Sequence, residues 1–161
     1  MKNSKGYTLL ETIVVIGILS VLVGLGISAL VPFKERREVL SNTRSFATLL
    51  KQVQVKSSAV EIPDSCDASG VGTYELEFSG SSVNLIANEP SGVVCKFFEN
   101  VLIFSNGTEF VLADSVVFIT PYGAAEPKTV SICDYGIQYD LEIGENGSVS
   151  EPKKSDTPEC S

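Results

Sequence analysis

From Thr12 to Val31 the chain is apolar without a single charge, and beyond Glu38 the apolar positions begin to recur at helical intervals. Val39, Leu40, Phe46, Ala47, Leu50 and Val53 keep that spacing, with Arg36, Arg37, Arg44 and Lys51 between them. The second pattern continues the first, so the two predict one helix, apolar on all sides at its start and amphipathic afterwards. Some 20 residues at 1.5 Å each cover roughly 30 Å, enough for the hydrocarbon core of a bilayer. The later stripe would lie against a sheet or against other helices of the same kind. Pro32 stands at the end of the apolar run, where it removes a helical hydrogen bond and permits a kink or local opening. Gly24 and Gly26 lie within the run, and small residues let helices approach closely. Ile62-Pro63-Asp64 ends the helical pattern.

From Gly72 the period changes to two. Tyr74, Leu76 and Phe78 alternate with Glu75 and Glu77, which predicts a half-buried strand over Gly72–Ser79 with the glutamates in solvent. Ser82–Ala87, Val93–Phe98, Val101–Ser105, Glu109–Ala113 and Ser115–Thr120 read as further strands, with Asn106-Gly107 as a hairpin turn between two of them. Thr129–Cys133 and Ile137–Ile143 form another pair around Asp134-Tyr135-Gly136. Asn146-Gly147 then turns into a last short strand near Val149. Many short strands at close spacing predict an antiparallel sandwich or a strongly bent sheet, and the fold class is α+β.

Charge separates these regions. Residues 34–56 carry six basic and two acidic side chains, a net of +4, whereas residues 57–161 carry four lysines against 17 acids, a net of −13. The 105 residues of the acidic part suffice for one core. A surface of that sign repels nucleic-acid phosphates and anionic lipid, so no direct nucleic acid binding is expected. Attraction between the basic stem of one chain and the acidic part of another is consistent with these charges, as is a plain solvated acidic face.

The start of the chain is the most specific segment. Lys5-Gly6-Tyr7-Thr8-Leu9-Leu10-Glu11 sets a short basic leader, a glycine, an aromatic residue and a lone carboxylate directly before the apolar run. It resembles the processing site of type IV prepilins and of the pseudopilins of type II secretion. The resemblance implies cleavage between Gly6 and Tyr7 by a prepilin peptidase in the membrane, then N-methylation of Tyr7. Tyrosine replaces the family's more usual phenylalanine. An ordinary secretory signal is cut after its apolar core, whereas cutting here leaves the anchor on the mature protein. Glu11 would face a low dielectric, where an unpaired carboxylate is costly and a cationic partner offsets much of that cost. The resemblance supplies the partner, the Tyr7 amine of a neighbouring subunit; a favourable helix macrodipole also accounts for an acid at this position. Basic residues nearly tie across the span, Lys2 and Lys5 against Lys34, Arg36 and Arg37, and the leader places the amino terminus in the cytoplasm.

A looser likeness points to minor pseudopilins of the GspH/FimT type. It rests on Ser45–Gln52 and on Val117-Phe118-Ile119-Thr120-Pro121-Tyr122-Gly123, in which Phe118, Pro121 and Gly123 fit the spacing before a final hairpin and Gly147 fits the closing turn. The implied fold is pilin-like, a long transmembrane and stem helix followed by an antiparallel β-sandwich head. The implied parts are a leader over 1–6, a transmembrane helix over 7–32, an amphipathic stem over 33–60 and an extracytoplasmic head over 61–161.

Cys66, Cys95, Cys133 and Cys160 all fall in the exported part. Their even number in an oxidising compartment predicts two disulfides with three open connectivities. Joining Cys160 to Cys133 would pin the tail to the last sheet with about 3 kcal/mol of loop-closure stabilisation, leaving Cys66 with Cys95; four packed free thiols are the other alternative. Histidine is absent, which removes the usual triads and histidine acid–base chemistry and makes a zinc site unusual. Asp134, Asp140, Glu142 and Glu145 offer oxygen ligands for calcium without EF-hand spacing. Asn106-Gly107-Thr108 and Asn146-Gly147-Ser148 match glycosylation sequons, but turn formation already explains both. The expectation is therefore a non-enzymatic structural subunit with no cofactor and no metal. It would sit single-pass in a bacterial inner membrane and enter a pilus or pseudopilus with other such subunits through an inner-membrane assembly platform. The alternative is a signal-anchored, adhesin-like binding module outside any fibre.

Overall fold

The computed structural model describes residues 8–66, 70–104, 107–111 and 114–160, with backbone only for 25–30. Gly6, Tyr7 and the rest of the leader lie outside the described residues, as do Asn106 and the strand ends expected at Ser105, Leu112 and Ala113. The element order is a helix α1 (Leu9–Ala59), then β1 (Thr73–Ser79), β2 (Ser82–Asn88), β3 (Val94–Ile103), β4 (Glu109–Phe110), β5 (Ser115–Ile119), β6 (Ala124–Ala125), β7 (Lys128–Asp134), β8 (Ile137–Ile143) and β9 (Lys153–Lys154). The chain divides into two compact units, Met1–Glu35 and Arg36–Ser161, with the boundary inside α1.

Helical backbone continues through Pro32. Among the described residues no helix is long and apolar enough to cross a membrane. In the larger unit α1 buries Val39, Thr43, Phe46, Leu50, Val53 and Ser57, a stripe at three- and four-residue spacing. The helix ends with Val60 at φ 52° and the Glu61 N–H on the Lys56 carbonyl, 3.2 Å. That is the 6→1 bond of a Schellman cap, with a β-branched residue in the left-handed position that usually holds glycine.

Every strand pairing is antiparallel, in a five-stranded sheet ordered β3-β2-β1-β5-β6 and a four-stranded sheet ordered β4-β7-β8-β9. Both sheets contribute to one core with α1: Leu76, Val83 and Phe118 from the first, Val130, Ile132 and Leu141 from the second, Phe46 and Leu50 from the helix. Three phenylalanines join these layers. Phe78 of β1 stacks on Phe110 of β4 at 4.4 Å, and Phe46 meets both edge-on at 5.5 and 5.3 Å. Such aromatic contacts add roughly 0.5–1.5 kcal/mol each beyond their buried area.

Several strands differ from the sequence reading. Val93–Phe98 and Val101–Ser105 were expected as two strands, but β3 is continuous from Val94 to Ile103 and bulges opposite Asn84. Asn100 adopts φ 50° there and donates its N–H to the Asn84 side chain at 2.9 Å, so the interruption is local. Among the described residues the strands on either side of Asn106-Gly107 do not pair with each other. β3 and β4 lie in different sheets, because β4 pairs with β7, Glu109 opposite Cys133 and Phe110 opposite Ile132. Burying Phe104 and Phe110 carries the chain from one sheet to the other. β6 and β9, two residues each, carry no alternation to read. Val149 forms only an isolated bridge to Ile143. The β7–β8 hairpin closes on Tyr135 and Gly136 at φ 52° and 68°, the double left-handed geometry of a type I′ turn.

Candidate functional site

The first turn of α1 is a built helix start. Thr8 precedes the helix, its hydroxyl accepts the Glu11 N–H at 3.3 Å, and its carbonyl takes the first helical bond from Thr12 at 3.2 Å. Thr8 is thus the N-cap and Glu11 the third helical residue, the positions of a capping box, with a cap worth about 1 kcal/mol. Thr-x-x-Glu ahead of an apolar run is the sequence signal of such a start, and it makes Thr8 a functional residue beside Glu11. The Glu11 side chain is exposed in the first turn, where the macrodipole favours an anion by about 0.3–1 kcal/mol. Within the described residues the carboxylate meets no cation.

From this turn to Val23 the helix side chains stay open. Every Leu, Ile and Val from Leu9 to Val23 is at least 49% exposed. Ile13, Val14, Val15 and Ile16 are consecutive, and at 100° per residue they occupy all sides. Fully burying one such side chain yields about 1.5–3 kcal/mol, so this segment demands lipid or other helices around it.

In the larger unit, the elements carrying the looser likeness converge. Phe118 is fully buried in the core, and the Thr120–Pro121 bond is cis. Thr120 donates its hydroxyl to the Val71 carbonyl, pinning the turn to the chain before β1. Gly123 then packs on α1, where a Cβ would strike the Ser58 hydroxyl and stand 3.0 Å from the Gln54 carbonyl oxygen. Gly147, at φ 73°, packs on Gly123, and a Cβ there would collide with the Gly123 carbonyl oxygen. Gln54 closes the junction by donating to the Asn146 carbonyl at 3.1 Å. Tyr74 performs a similar service at the helix exit: its hydroxyl donates to the Glu61 carbonyl. Burial, and secondarily the Glu61 carboxylate, push its pKa above the usual tyrosine value.

The four acids considered for calcium do not come together. Asp134 is buried and accepts the Thr108 hydroxyl at 2.8 Å, and Thr108 accepts from Asn42 of α1 at 3.3 Å. Asp140 accepts the Ser131 hydroxyl at 2.6 Å and the Gln138 amide at 2.7 Å. Glu142 and Glu145 are exposed. Among the described residues no three histidine, cysteine or acidic side chains are grouped to hold a metal. The same residues contain no buried polar side-chain atom without a partner.

Cys66 joins Cys95 and Cys133 joins Cys160, with Cα separations of 4.9 and 5.8 Å. The second bridge ties the tail to β7, and the Glu159 N–H donates to the Gln138 side chain of β8 at 2.7 Å. That cover explains why β7 buries Ser131 and Cys133 as well as Val130 and Ile132.

Residues 1–27 match the prokaryotic N-terminal methylation motif. No curated protein and no solved structure matches the chain significantly.

Proposed function

We propose that this protein is a structural subunit of the type IV pilin and type II pseudopilin class, a minor subunit of the GspH/FimT kind. The observation that carries the reading is the junction of the methylation motif with the capped helix start at Thr8 and Glu11, followed by apolar side chains exposed on every side. Two antiparallel sheets sharing a core with the second half of α1 support a pilin-like sandwich head. In this reading a prepilin peptidase cuts after Gly6, Tyr7 is methylated, and residues 7–32 lie in the inner membrane until the subunit joins others through the assembly platform. The chain performs no catalysis. Pairing of Glu11 with a neighbour's Tyr7 amine adds charge neutralisation to burial of the apolar helix.

Mass spectrometry of the mature chain from cells with an active prepilin peptidase tests this directly. A terminus at methylated Tyr7 is expected; an intact Met1 terminus returns the chain to a signal-anchored binding module. Glu11→Ala should then leave the head folded while lowering incorporation into fibres, and unchanged incorporation would reject the pairing.

A further inference from the structure

The outer face of the five-stranded sheet is not a plain polar surface. Register places Phe97, Ile86, Glu75 and Val117 in one row across β3, β2, β1 and β5. Their sequence neighbours Leu76, Leu85 and Val116 point into the core from the opposite face. Ile86 is 7% exposed yet stands apart from that core, being covered by its own row. Phe97 beside it is 44% exposed, and Ile119, two residues beyond Val117 on β5, is 45% exposed. Glu75 sits half-buried in this apolar row between Ile86 and Val117, and Glu77 lies exposed two residues further along β1, between Asn84 and Ser115. Among the described residues neither forms an ion pair. Lys128, at the edge of the face, is engaged with the Ser115 carbonyl at 2.8 Å.

The same unit carries the complementary surface. Arg37, Arg44 and Lys51 recur every seven residues along α1, with Thr48 and Val55 beside them, and all five are exposed. This stripe lies opposite the one that buries Val39, Phe46 and Leu50. It contains no acid. Within it, Lys51 pairs with Glu151 at 3.6 Å, between side chains 48% and 83% exposed, which is weak by nature.

We propose that the outer face of β1, β2, β3 and β5 docks the basic stripe of α1 from a second copy of this chain, with Arg44 and Lys51 meeting Glu77 and Glu75. The apolar row shields the Glu75 pair from water, which strengthens it over a freely solvated one. Val55, 64% exposed, supplies apolar contact at the same interface. The contact is heterologous, sheet of one copy to stem of the next, so it propagates instead of closing on itself. It deepens the subunit reading without depending on leader cleavage.

The test is a charge swap between tagged and untagged full-length copies in detergent at low salt, read as the amount of untagged chain retained. The E75K/E77K copy with itself, and the R44E/K51E copy with itself, should each show roughly threefold to tenfold weaker association than wild type. Mixing the two variants should restore it, since the reversed face now meets a reversed stripe. Glu75→Gln with Glu77→Gln, which adds no repulsion, should weaken association less than the lysine pair. Equal retention in all combinations, or loss in the mixture as well, overturns the contact. So does a wild-type chain that fails to associate. The mature amino terminus, measured on the same material, reports on the subunit reading separately.

Discussion

Gly147 and Gly136 have nearly the same backbone, φ 73° and 68°, and differ in what surrounds them. A Cβ at Gly136 meets nothing within 4 Å, whereas one at Gly147 collides with the Gly123 carbonyl oxygen and stands 3.1 Å from Gln54 Nε2. Alanine in the left-handed region costs about 1 kcal/mol at either site. At Gly147 the neighbour is backbone and cannot rotate away, so the two turns must part. Overpacking of this kind costs about 1–3 kcal/mol, and loss of the Gln54 bond to the Asn146 carbonyl about 1 kcal/mol more. Gly136→Ala should therefore lose about 1 kcal/mol and Gly147→Ala about 3–5 kcal/mol. Thermal unfolding of the full chain in detergent, followed by circular dichroism, reads this as about 4 °C against more than 12 °C. Equal losses would show that the two turns do not depend on each other and would refute the packing argument at Gly123.

Replacing Tyr74 with Phe removes the bond to Glu61 and should cost about 1 kcal/mol near neutral pH. Because the folded-state pKa of Tyr74 is raised, its stabilisation is complete below the ordinary tyrosine value near 10 and is lost as pH rises through the folded pKa. Wild type should thus weaken more steeply than Tyr74→Phe above about pH 10 in denaturant titrations, and parallel curves would contradict this. Val60→Gly relieves a β-branched residue at φ 52° and should stabilise the larger unit by about 1 kcal/mol; a decrease in the unfolding midpoint would count against it. Cys133→Ser with Cys160→Ser opens a bridge of sequence separation 27, with an expected loss of about 3.5 kcal/mol. Proteolysis should then begin in the tail after Lys154, and unaltered digestion would show that hydrogen bonds alone hold it.

What was legible in the sequence follows from local physics. An uncharged run, a helical stripe and a period-two strand each leave their pattern within a few neighbouring residues, so α1, β1 and β8 were visible in advance. The methylation motif is contiguous and was equally plain. Asn106-Gly107 shows the limit of that reasoning. A turn dipeptide states that the chain reverses, but the partner strand is chosen by which apolar faces must be buried, and Phe104 and Phe110 draw β3 and β4 into different sheets. The buried acids follow the same rule. Asp134 and Asp140 stand close in sequence, yet Thr108 ahead of β4 donates to the first and Ser131, paired across β7 and β8, to the second, which separates them as ligands. The Gly123–Gly147 contact and the alignment of Glu75 with Ile86, Phe97 and Val117 arise between residues distant along the chain. Only the sheet register brings them together, because side-chain spacing within one strand carries no information about the strand beside it.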